Sequence, residues 1–273
     1  MTYSKQMWTF IVPEPSASYV VGEVMHLPPD EHHFAFNVLR LHVGEEVWLT
    51  NCEGVKARGK IVSLDKKSGR VVLDEIFSFR RARPTVELYV GLTKLTTLEQ
   101  IVSDASEMGV DAIHIIKTQK CAHRGHVKLD KYQKLSQEAV RISKIPFCAK
   151  LFYYEEFQSF MAHYGSLNSK ERLFFCDEEL SRVENSQDPH SVGRSLHLLE
   201  VLQKNPPLFD EKISIFIGPE ASFSKEERDA ICAIPHMVPV SLGPHILRVP
   251  TAVCASLGVI FGACSREAWY VQQ

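Results

Sequence analysis

The residues of this chain best placed to do chemistry lie in two Gly-Pro turns, Gly218-Pro219 and Gly243-Pro244, whose glycines are 25 positions apart. The first closes an apolar run, Ile213 to Ile217, and leads through Glu220-Ala-Ser-Phe to Ser224. Ser224 with Glu227 fits the capping box that opens a helix. The second follows Met237 to Leu242 and runs through Gly243-Pro-His-Ile-Leu-Arg248 into an apolar helix from about Pro250. Proline is tolerated in a first helical turn because its missing N–H has no intrahelical partner there. Junctions of this kind leave main-chain N–H and C=O groups at the carboxyl edge of a parallel sheet, where ligands of open α/β folds bind. Two of them could wall one pocket; ordinary tight connections are the alternative.

Other chemistries find less support. Nothing matches GxGxxG or a P-loop, so phosphate cradling by those routes is not expected. A serine or cysteine nucleophile would need a base and an orienting acid, and there is no GxSxG elbow. Cys121-Ala-His123-Arg-Gly-His126 lacks the ligand spacing of structural zinc, so no metal is expected. The total charge is near balance, with 31 Lys plus Arg against 33 Asp plus Glu, and does not by itself predict a nucleic-acid partner. Locally the balance fails: from Lys117 to Lys150 nine basic residues meet two acids, Asp130 and Glu138. Such a run attracts a polyanion by counterion release, in a salt-sensitive way; a solvated helical face is the other reading.

The elements that must position these turns show in the apolar periodicity. Of the 273 residues 45% are hydrophobic and 23% charged, which is globular and not disordered. Residues 1–82 read as short β segments broken by turn signals, among them Glu46–Thr50, Val55–Leu64 and Val71–Phe77, and predict a small antiparallel barrel or sheet. Within it Phe34, Val38 and Leu41 predict a helix over Glu31–Leu41 with Asp30 as N-cap. A polar seam with Arg80, Arg81 and Arg83 ends at Pro84. Residues 83–273 then alternate strand and helix: Val86–Gly91, Thr97–Met108 stopped by Gly109, Val110–Ile116, Lys131–Ser143, Leu173–Cys176, Ser191–Lys204 and Ile213–Ile217. That alternation predicts an α/β layer with a mostly parallel sheet.

Seven cysteines with no CxxC pair predict a reducing, cytoplasmic setting. The longest apolar stretch, Ala252–Cys264, is about 13 residues, short of the ~20 a membrane-spanning helix needs. Met1–Pro15 lacks the apolar core of a signal peptide. No membrane association is expected.

Four segments in order resemble the ribosomal RNA small subunit methyltransferase E family of the SPOUT methyltransferases. His33-Phe-Ala-Phe-Asn-Val-Leu-Arg40 to Gly44 is similar to its "H…VLR…VG" signature. Lys94 followed by Leu98 to Val110 is similar to its "K…ME…ATELGV" helix. Ile217-Gly-Pro-Glu220 with Phe223-Ser224 and Glu227 matches most of "IGPEGGFS..E", and Leu242-Gly-Pro-His-Ile-Leu-Arg248 with Thr251-Ala252 most of "LGPRILRTETA". The likeness spans nearly the whole chain.

The resemblance implies an N-terminal PUA-like, RNA-binding β-barrel (1–82) and a C-terminal SPOUT-type α/β domain (83–273) with a trefoil knot, cofactor-binding and dimerising. It implies a homodimer that takes its methyl group from S-adenosylmethionine. The substrate would be 16S rRNA or the small ribosomal subunit, methylated at N3 of one uridine. Ile217, Gly218, Pro219, Glu220, Leu242, Gly243, Ile246 and Leu247 would line the cofactor. Arg248, assisted by Glu220, would be catalytic. Arg40, Lys94, Lys120, Arg124, Arg141 and Lys144 would meet the RNA.

The chain departs from the family pattern at Ala221-Ser222 (Gly-Gly in the family), His245, Pro250, Ile142 and Ile145, at Thr97 and Asp104, and in a longer stretch from Glu178 to Lys212. Two other readings therefore stand beside the first: a catalytically degenerate RNA-binding or ribosome-assembly protein, and a SPOUT methyltransferase with a different RNA target.

Overall fold

The computed structural model describes residues 7–121, 123, 125–164, 171–177, 180, 196–264 and 270–272. The chain divides into two compact units. The first holds residues 1–81 with 137–148 and 270–273; the second holds 82–136 and 149–269.

In the first unit β1 (Thr9–Ile11), β3 (Glu46–Thr50), β4 (Val55–Leu64) and β5 (Gly69–Arg81) pair in that order, and β5 is long enough to pair with both β2 (Val24–His26) and β13 (Tyr270–Gln272). Val55, Ala57, Gly59 and Ile61 of β4 are buried at alternate positions, the period of a half-buried strand. Val55, Ala57 and Ile61 join Phe10, Val47, Leu49, Val71 and Leu73 in one core. A side chain at Gly59 would stand 2.3 Å from the Val72 carbonyl oxygen, so the bulge beside it requires glycine.

The helix expected over Glu31–Leu41 is replaced by a short one, α1 (Pro29–His33), followed by a wider π turn over Phe34–Val38. Pro28, not Asp30, occupies the N-cap. The Leu39 N–H reaches back five residues to the Phe34 carbonyl. That widening sets Phe34, Ala35, Leu39 and Leu41 against the barrel core and leaves Val38 exposed.

The second unit is a seven-stranded parallel sheet flanked by helices. Its elements are β6 (Thr85–Gly91), α2 (Leu95–Glu107), β7 (Ala112–Ile116), α3 (Leu129–Ser143, whose last residues belong to the first unit), β8 (Lys150–Tyr154) and α4 (Phe157–Tyr164). They continue with β9 (Glu171–Cys176), β10 (Leu196–His197), α5 (Leu198–Lys204), β11 (Lys212–Ile217), α6 (Lys225–Cys232), β12 (Met237–Ser241) and α7 (Val249–Ala263). The helix expected over Ser191–Lys204 begins only at Leu198, where the His197 ring accepts the Leu199 N–H at 3.2 Å; residues 191–195 lie outside the described part.

The order across the sheet is β10-β12-β9-β11-β6-β7-β8. The last strands are thus interleaved out of sequence, β11 between β9 and β6 and β12 beyond β9. One face packs Val86, Leu88, Val90, Ile213 and Ile215 against Leu98, Ile101 and Val102 of α2 and Val253, Leu257 and Ile260 of α7.

Arg83, expected in the polar seam, is buried instead. Its guanidinium donates to Asp111 at 2.6 Å and lies over the Phe261 ring. Asp111 also accepts the Val86 N–H at 2.8 Å, so the pair ties together the starts of β6 and β7.

The opposite face carries rings stacked strand to strand, Phe152–His114–Tyr89–Phe216, with centroids 4.2–4.6 Å apart. At the edge of this stack Glu87 accepts from Lys212 at 2.8 Å and Tyr89 at 2.9 Å, with His114 Nε2 at 3.1 Å. Burial opposes ionisation of Glu87, yet the partners His114 and Lys212 outweigh it and hold the carboxyl at about 2. A carboxyl depressed by folding adds stability above its ordinary value near 4.5, and loses it as pH falls through about 2. Glu87→Gln should therefore destabilise the protein at pH 7 by on the order of 3 kcal/mol. It should also flatten the acid limb of stability between those two values, as read by urea melts across pH.

Candidate active site

Parallel pairing brings the two Gly-Pro turns to one edge. Ile217 of β11 is in register with Cys176 of β9, and Cys176 with Val240 of β12, so the three strands end level. At the usual strand spacing of about 4.8 Å, Gly218 and Ser241 leave the sheet about 10 Å apart, with Asp177 between them.

The first turn is held from behind by a close approach. A Cβ at Gly91, the last residue of β6, would stand 2.3 Å from Pro219 Cδ and 2.7 Å from its nitrogen, so only glycine lets Pro219 sit there. The turn closes through the Ser222 N–H to the Pro219 carbonyl at 2.9 Å. The Glu220 carboxylate is exposed and accepts the Lys94 N–H at 3.4 Å.

The expected capping box is formed: Ser224 Oγ accepts the Glu227 N–H at 3.2 Å, and Glu227 Oε2 the Ser224 N–H at 2.9 Å. The other Glu227 oxygen accepts the Gln119 N–H at 2.7 Å, and Lys120 Nζ donates to the Phe223 carbonyl at 3.3 Å. The loop after β7 is thereby drawn to the same turn.

In the second turn Gly243 has a φ of +143°. The Ser241 hydroxyl accepts the Gly243 N–H at 3.2 Å and donates to the Gly243 carbonyl at 3.0 Å. Leu242 and Leu247 pack on the core while Ile246 between them is 63% exposed, an unusual position for a bulky apolar side chain. Arg248 is the exposed N-cap residue of α7 and makes no side-chain cap. Pro250 lies in the first turn of that helix, as expected. Ile217 is buried in the core.

The residues expected to meet RNA fare unevenly. Lys94, at the start of α2, and Arg40 and Lys144, both at positive φ, are exposed. Arg124 lies outside the described residues. The Arg141 guanidinium pairs with buried Glu31 and with Glu138, and lies over the Phe34 ring at 5.3 Å. That guanidinium holds part of the first unit together and is not presented to solvent as a free cation. The basic run as a whole is weaker than its count, because Lys117 pairs with Glu155 and Lys131 with Glu99. Charges satisfied by distant carboxylates do not show in a local tally.

Sequence reasoning missed a buried group beside the first turn: Asp177, which directly follows β9, and Arg228 on α6, joined at 3.0 Å with both side chains under one-tenth exposed. A polar residue directly after an apolar strand was the available signal.

The architecture is an interleaved parallel α/β unit accompanied by a curled β-sheet unit, and comparison with known proteins supplies the class it defines. The family described as RNA methyltransferase domain matches residues 81–261, and the RNA methyltransferase PUA domain matches residues 27–74. The chain belongs to this RNA methyltransferase family.

Among its relatives is the ribosomal RNA small subunit methyltransferase E of Rickettsia conorii, 24% identical over 86% of this chain and 88% of the relative. The protein of the same name from Bacillus subtilis is 26% identical over 85% and 87%. The crystal structure of ribosomal RNA small subunit methyltransferase E from Neisseria gonorrhoeae, bound to S-adenosylmethionine, superposes with a TM-score of 0.76 at 19% identity. It covers 94% of this chain and 98% of that one. A structure from Legionella pneumophila in complex with the same cofactor gives 0.75 at 20% identity, covering 95% and 98%.

Gly91→Ala should force Pro219 and its turn to shift. Overpacking of this kind costs about 1–3 kcal/mol, and a lowered thermal midpoint in calorimetry is the expected result.

Proposed function

We propose that this protein transfers a methyl group from S-adenosylmethionine to N3 of a uridine in 16S rRNA, in the cytoplasm and as a homodimer. Membership of the RNA methyltransferase family supports the reaction class. The names of the relatives support the substrate, and the bound cofactor in two structural neighbours supports the methyl donor. The observation that carries the reading is the level ending of β11 and β12, with a Gly-Pro turn on each and exposed Arg248 opening α7.

The residues present suit the donor. The edge offers main-chain groups of Gly218, Glu220, Leu242 and Leu247 together with the carbonyl oxygens of Pro219 and Gly243, which can recognise an adenine without charged side chains. Exposed Ile246 offers it an apolar contact. S-adenosylmethionine supplies a methyl on a sulfonium, open to direct displacement.

The protein must align the uridine N3 with that methyl and favour the deprotonated base. A neighbouring cation lowers the pKa of an acid, and Arg248 near O2 or O4 would do this for the uracil. Glu220, anchored through the Lys94 N–H, would orient the arginine or the base. Lys94, Lys120, Arg40 and Lys144 would meet RNA phosphates. Small exposed residues on α7, Thr251, Gly258 and Gly262, would admit close approach of a second copy.

Titration calorimetry with S-adenosylmethionine should give a Kd at the micromolar level. Small ribosomal subunits should accept labelled methyl, with the product mapping to uridine N3. Arg248→Ala should lower kcat at least tenfold, about 1.4 kcal/mol of barrier, with cofactor affinity retained. Cofactor silence together with salt-sensitive RNA binding would establish the non-catalytic binding protein instead. A methylated product at another nucleotide would establish a different RNA target.

A further inference from the structure

We propose that Ser222, Asp177 and Arg228 form a positioning network that sets the backbone of the Pro219–Ser222 turn and, through it, the affinity for the methyl donor. The inference rests on the reading of that turn as part of the S-adenosylmethionine site. Ser222 has a φ of +59°, in the left-handed region that disfavours residues with a Cβ. Such a conformation persists only when its surroundings over-determine it, and here they do.

The Ser222 hydroxyl donates to Asp177 Oδ2 at 3.0 Å, and Arg228 Nε donates to Asp177 Oδ1 at 3.0 Å. Arg228 Nη2 lies 3.5 Å from Ser222 Oγ and 3.4 Å from the Phe223 carbonyl oxygen. Ser222 is 9% exposed, Asp177 5% and Arg228 7%, so these bonds are shielded from competing water. Asp177 leaves β9, the strand that separates the two Gly-Pro turns, and Arg228 stands on α6, whose capping box ends the same turn. The network therefore grips the turn from its neighbouring strand and from its following helix.

This accounts for a departure from the family pattern. Glycine at 222 reaches positive φ without a steric cost. Serine reaches it here with its hydroxyl bonded inward to a buried carboxylate, so the added side chain points into the protein while Glu220 stays exposed at the edge.

Two substitutions separate positioning from simple stabilisation. Ser222→Ala keeps the Cβ and loses the bond; Ser222→Gly loses the bond and the steric burden together. In calorimetry the Kd for S-adenosylmethionine should rise about tenfold in Ser222→Ala and stay within about threefold of wild type in Ser222→Gly. The kcat at saturating cofactor should stay within about twofold in both. In the ligand-free protein, amide exchange at Ser222 should accelerate in Ser222→Ala and be rescued in Ser222→Gly. Equal losses in both variants would reduce the hydroxyl to a plain stabilising contact and overturn the proposal, as would a Ser222→Ala protein indistinguishable from wild type. Should the wild-type protein bind no S-adenosylmethionine, the functional reading falls and the exchange comparison alone decides the network.

Discussion

The parallel register of β6, β11, β9 and β12 is the constraint on which the site depends. Strands that run parallel and in step must end at one edge, so turns far apart in the chain emerge side by side. Ile217 level with Cys176, and Cys176 with Val240, brings Gly218 and Ser241 to opposite sides of Asp177. Gly91 then sharpens the arrangement, because its missing side chain is the space into which Pro219 fits. The interleaved order follows from the same pairing: β11 is held between β6 and β9 over its whole length, and β12 can add only outside β9.

Charge in this protein divides between structure and surface. Arg83 with Asp111, Arg141 with Glu31 and Arg228 with Asp177 are each buried or nearly so and bonded to a carboxylate. Arginine suits that task because its planar fork serves two acceptors at once. Removing one partner from such a pair would leave an uncompensated charge in the interior. Lys94, Arg40, Lys144 and Arg248 are exposed. The concentration of basic residues between 117 and 150 thus overstates the unpaired charge, since three of them are paired with acids outside that segment.

The departures from the family's motifs separate on the same physical grounds. Pro250 falls where its missing N–H has no helical partner, so α7 starts normally. Ser222 directs its hydroxyl inward to a buried acid. His245 and Ile142 are exposed, and their replacement leaves the core unaltered.

Local pattern alone determined a good deal. Alternating burial in β4, the helical stripe of Leu98, Ile101, Val102 and Ala105, the Ser224–Glu227 capping box and the proline in the first turn of α7 are all short-range features, and they stand where spacing predicts them. The π turn at Phe34–Val38 was not legible, because the barrel core it packs against, and not its own periodicity, selects the wider spacing. Nor were the burial of Arg83, the pairing of Arg141 110 positions from Glu31, or the meeting of Ser222, Asp177 and Arg228. Helical and strand periods are properties of neighbouring residues. The partner of a buried charge is chosen by which strands and helices come together, and that is decided only when the whole sheet is assembled.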